Sequence, residues 1–149
     1  MDNTETVKVK GAKPKVEVTG VHGVFYKVLL DGEPIKPTKG KWLIPVSGGK
    51  TVQMTSRGLL PGFQKLFVGG EEVFDLGADV SLVEKIIMFV PLVLIFLNPI
   101  LGLPLGLIMF FMNITLVKNS VMPRPLRMAL PLINTAAAAF IILLLTGAV

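Results

Sequence analysis

Residues 86–112 run without one charged side chain, and the middle of that run holds Asn98, Pro99, Gly102, Pro104 and Gly106. An uncharged run of this length belongs in lipid. As one unbroken helix it would measure about 40 Å, against a hydrocarbon core of roughly 30 Å. Proline removes a backbone donor and pushes the preceding residue out of helical geometry, and glycine removes the side chains that stiffen a helix. A single strongly tilted helix therefore competes with a helical hairpin over residues 82–118. The hairpin has its break at 98–106, marked by Asn98, Pro99 and Pro104. Its arms, 82–97 and 103–118, would each reach about 24 Å, enough for thin spanning helices or a re-entrant pair.

A second apolar run, 129–149, is long enough to cross once. The loop between the runs, 118–128, contains Lys118, Arg124 and Arg127 and no acid. Short loops with that bias stay in the cytoplasm. A single crossing at 86–112 would then export the whole amino-terminal region, although residues 1–20 hold no apolar signal core. The hairpin reconciles both rules. The expectation is three membrane helices in a prokaryotic plasma membrane, with the amino-terminal domain and the basic loop in the cytoplasm and the carboxyl end outside.

The chain is 52% hydrophobic and 17% charged, and the apolar excess falls after residue 82. What precedes it suffices for one small domain. Without cysteine there is no disulfide framework, thiolate metal site or cysteine nucleophile. Of the fifteen Lys and Arg, all but Lys118, Arg124 and Arg127 precede residue 86, together with all ten acids, so the net charge of +5 stems mainly from the loop. A nearly balanced domain argues against a nucleic-acid partner.

Residues 14–80 read as a small all-β domain, a sandwich or barrel. Strands are expected at 16–21, 24–30, 33–36, 42–46, 51–55, 63–68 and 71–76. Asp31-Gly32, Ser47-Gly48-Gly49 and Gly69-Gly70 turn three hairpins of an antiparallel meander. Pro34, Pro37 and Pro45 belong at edges or strand ends, because proline cannot donate to a central ladder. Residues 1–13 read as a flexible polar tail. The connection at 78–81 is short enough to hold the domain near the bilayer. The fold class expected is thus an α+β membrane protein.

Catalytic signatures are sparse. His22 is the sole histidine and lies in a turn without nearby carboxylates, which favours a structural role over that of a base or metal ligand. Glu71, Glu72, Asp75 and Asp79 lack the spacing of a calcium loop and read as a solvated face. Gly48-Gly49-Lys50-Thr51 lacks the length of a phosphate-binding loop. No catalytic residue, metal or cofactor is expected. Lys36, Lys39 and Lys41 beside Trp42 form a possible lipid or partner surface, weighed against lysines that protect an edge strand and a Trp42 that fills the core.

Within the apolar segments Gly102 and Gly106 have small-xxx-small spacing, Ala136 and Ala139 flatten the last helix, and Asn113 and Asn134 need polar partners. These six are the expected positions of helix packing or partner contact. With no ionisable residue between Lys85 and Lys118, a proton-coupled pump is disfavoured. Two functional classes follow. One is a non-catalytic accessory, assembly or scaffold subunit that contacts the bilayer and other membrane subunits or itself. The other is a membrane conduit lined by the broken hairpin. Sensing of anionic lipid through the lysine stretch is a weaker third.

Overall fold

Alternation of apolar and polar side chains sets eight short strands in the amino-terminal half of the computed structural model, which describes residues 3–149. They form two antiparallel meanders of four strands. The first comprises β1 (Thr4–Thr6), β2 (Val16–Thr19), β3 (Lys27–Leu30) and β4 (Glu33–Ile35). The second comprises β5 (Lys41–Pro45), β6 (Thr51–Arg57), β7 (Lys65–Val68) and β8 (Glu71–Asp75). Val16, Val18 and Val28 from one sheet share a core with Trp42, Ile44, Met54 and Leu66 from the other. The β3–β4 turn has positive φ at both Asp31 (50°) and Gly32 (84°), the geometry that matches strand twist in a two-residue hairpin. Pro34 lies on the edge strand β4, and Pro45 ends the edge strand β5.

The expected tail at 1–13 is corrected from Asn3 onward. Thr4 to Thr6 pair with β2 in the register Thr4↔Thr19. Val7 is only 3% exposed, and its N–H donates to the Val16 carbonyl. Ala12 forms a bridge with Val46. Lys8 and Lys10 are exposed, whereas Val7 is buried and Val9 partly buried, so the stretch is an alternating segment whose lysines dominate its composition.

The chain divides into two compact units, Met1–Ala78 and Asp79–Val149. The second is helical: α1 (Leu82–Ile87), a 3₁₀ turn (Val90–Val93), α2 (Leu94–Leu97), α3 (Pro99–Val117) and α4 (Arg124–Leu145). Among the described residues, α3 and α4 are the two helices long and apolar enough to cross a membrane. The expected first arm at 82–97 is not one helix. Pro91 opens the 3₁₀ turn and cannot donate the bond that would continue α1.

The expected break at 98–106 narrows to Asn98. Its extended backbone (φ −156°, ψ 110°) ends α2, and its side chain caps α3. Pro99 opens α3, where a missing donor costs nothing, and Pro104 is held inside the helix. The last helix begins at Arg124 instead of 129, with Pro125 in its first turn, and so takes Arg124 and Arg127 out of the connecting loop.

Candidate functional site

The helical unit is apolar on its outside as well as in its core. Apart from Phe25, Leu43 and Leu59, every large apolar side chain exposed among the described residues belongs to this unit. The inward face of α3 carries Gly102, Gly106, Phe110, Asn113, Ile114 and Val117. The inward face of α4 carries Arg127, Pro131, Thr135, Ala138 and Ile142.

The α3 face explains the turn at Asn98. A Cβ on Gly102 would overlap the carbonyl oxygen of Leu94, and one on Gly106 would lie 2.8 Å from that of Pro91. Further along, the rings of Phe89 and Phe110 stand 4.9 Å apart. Asn113 Nδ2 then donates across 3.5 Å to the Met88 carbonyl. As α3 proceeds from Gly102 to Asn113, its partners recede from Leu94 to Met88, which is an antiparallel hairpin. The glycines permit backbone contact where the leg is an irregular ribbon. Asn98 fixes the turn by accepting from the N–H groups of Ile100 (3.0 Å) and Leu101 (3.1 Å).

At the opposite end of the hairpin lies a buried ion pair. Ser81 and Glu84 form a reciprocal capping box at the start of α1, with Glu84 Oε2 accepting from Ser81 N and Oγ, each at 2.8 Å. Glu84 is fully buried and Arg127 is 7% exposed. Glu84 Oε1 faces Arg127 Nε at 3.5 Å. The guanidinium also donates to the Val117 carbonyl at 2.9 Å, satisfying a terminal acceptor of α3. One side chain of α4 thereby joins α1 to α3. At the other end Leu94 clusters with Ala138 and Ile142.

The remaining expected site residues are dispersed. Asn134 and Ala136 are exposed, and Ala139 is partly buried beside the Leu94 cluster. The buried polar residues of α4 are instead Arg127 and Thr135, whose hydroxyl donates to the Pro131 carbonyl at 2.7 Å. In the β unit, Trp42 is 8% exposed and lies in the core, 6.1 Å from the ring of Tyr26. It is therefore not an aromatic anchor projecting from the surface, because strand alternation turns it inward while Lys41 and Leu43 face out. Lys36 lines a groove with Trp42 and Tyr26, whereas Lys39 and Lys41 line a separate hollow with Leu43.

Lys65 pairs with Glu72 (3.0 Å) and Asp75 (3.4 Å). The backbone N–H of His22 donates to Asn3 Oδ1 at 2.8 Å. Among the described residues, no group of three or more His, Cys, Asp or Glu could hold a metal ion.

Sequence reasoning missed the Glu84–Arg127 pair. The Ser81-x-x-Glu84 signature ahead of an apolar run was a readable helix start, but no local pattern links Glu84 to a residue beyond the hairpin. Compared with known proteins, the chain matches no family model, no curated protein and no solved structure.

Proposed function

We propose that this chain is an integral membrane interaction protein, a non-catalytic accessory or scaffold subunit whose β unit faces the cytoplasm. The observation that carries the reading is the apolar exterior of the helical unit. Leucine, isoleucine and phenylalanine cover its outside, while its inside packs Met88, Leu94, Ile114 and Ile142 together with two glycines, an asparagine and an ion pair. In water such a surface far exceeds the apolar patches that monomers expose, whereas in lipid it costs nothing.

The hairpin supports a full crossing in preference to a shallow loop. Glu84 meets Arg127 near the start of α4, and Leu94 meets Ala138 and Ile142, about 17–22 Å further along that helix. A hairpin that runs beside α4 over that distance fits a crossing alongside it. Three passes of chain then arise from only two long helices.

Single-cysteine variants test the orientation cleanly, since the sequence contains no cysteine. In intact cells a membrane-impermeant maleimide should label Val149→Cys and leave Phe25→Cys and Ser120→Cys unlabelled until the cells are opened. The opposite pattern would invert the topology, and recovery of the protein in the soluble fraction would overturn the membrane reading. Purification in mild detergent should retain a stoichiometric membrane partner or a second copy; a monomer alone would remove the scaffold role.

A further inference from the structure

We propose that the groove between Tyr26, Trp42 and residues 34–37 docks a partner protein through an extended acidic segment presenting a proline. This inference rests on the interaction role proposed above and names the partner's chemistry. The groove encloses about 440 Å³, within the range of ligand sites. Tyr26 and Trp42 stand 6.1 Å apart and tilted by 42°. The Tyr26 hydroxyl donates to Ser56 Oγ at 2.8 Å, which fixes the ring before anything binds.

Pro34 and Pro37 complete a rigid apolar lining, and the charged side chains that line it are Lys27 and Lys36, both exposed, with no acid among the lining residues. Charge complementarity therefore calls for an acidic occupant. Aromatic-lined grooves take proline-containing segments at low ordering cost, because these are already extended. Addition of a strand is disfavoured, because Pro34 on the edge strand β4 has no N–H to offer.

Trp42 is the sole tryptophan, so its fluorescence reads the groove directly in the 149-residue chain held in non-ionic detergent. Three peptides serve as probes: a proline-rich peptide flanked by aspartates, its counterpart flanked by lysines, and an aspartate peptide with glycine in place of proline. A short-chain phosphatidylserine serves as the lipid control. Only the first should give a saturable change, and the double variant Lys27→Glu/Lys36→Glu should weaken it about tenfold, as expected for loss of two exposed charge contacts.

Equal binding of the lysine peptide, a response to the glycine peptide or to phosphatidylserine alone, or an unchanged affinity in the double variant would overturn the proposal. Co-purification from membranes is scored separately. A retained membrane partner together with a silent groove refutes this site and leaves the interaction role standing.

Discussion

Arg127 Nε lies 3.5 Å from Glu84 Oε1, with both side chains nearly excluded from solvent, and the same guanidinium donates to the last turn of α3. The two residues come from opposite sides of the hairpin. Removing one partner strands a buried charge, which costs about 3–5 kcal/mol, whereas replacing both with apolar groups is often neutral. Arg127→Met should therefore lower the stability of the helical unit severely. Glu84→Gln/Arg127→Met should recover much of the loss, because glutamine can still accept from Ser81. Unfolding in detergent followed by helical circular dichroism measures both, and simple additivity of the single changes would refute the coupling.

The two glycines of α3 differ in what surrounds them. Gly102 has no room for a methyl group beside the Leu94 carbonyl, while Gly106 has 2.8 Å to that of Pro91. Gly102→Ala should cost about 3 kcal/mol or more through forced backbone separation, and Gly106→Ala about 1–2 kcal/mol. Exposed Ala136→Leu should leave the stability of the isolated chain unchanged. The same unfolding experiment ranks the three, and equal effects at all positions would contradict the tight seam.

Tyr26 is the only tyrosine, so tyrosinate absorbance reports it alone. Burial pushes its pKa above the ordinary 10.0, and the Ser56 hydroxyl partly offsets this by stabilising the phenolate. With the folded value raised, the associated stability is fully present below the unfolded pKa and declines as pH rises through the folded one. Ser56→Ala should move the titration further upward. A midpoint at or below 10.0 in the folded protein would refute the burial of this hydroxyl.

The antiparallel hairpins were legible because glycine pairs and Asp31-Gly32 have local physical meaning, and all three expected turns separate the strands that pair across them. β1 was not, since Thr-Glu-Thr offers no apolar signal and its pairing with β2 reaches across the lysine-rich segment. The apolar runs located α3 and α4, but proline misled the boundaries. Pro99 starts a helix, Pro104 is tolerated within one, and only Pro91 interrupts the helical path. Propensity alone does not distinguish these cases; Pro99 is tolerated because it follows the Asn98 cap, where its missing donor is not needed. The ion pair was beyond local reading because its members meet only after the hairpin has closed.

That last dependence bears on biogenesis. During synthesis the hairpin is complete at Val117, before any residue of α4 exists. Until Arg127 emerges, Glu84 has its Ser81 cap without that guanidinium, and the final turn of α3 lacks the donor that satisfies Val117. A nascent chain stopped before α4 therefore lacks the one side chain that ties the foot of the first leg to the end of α3.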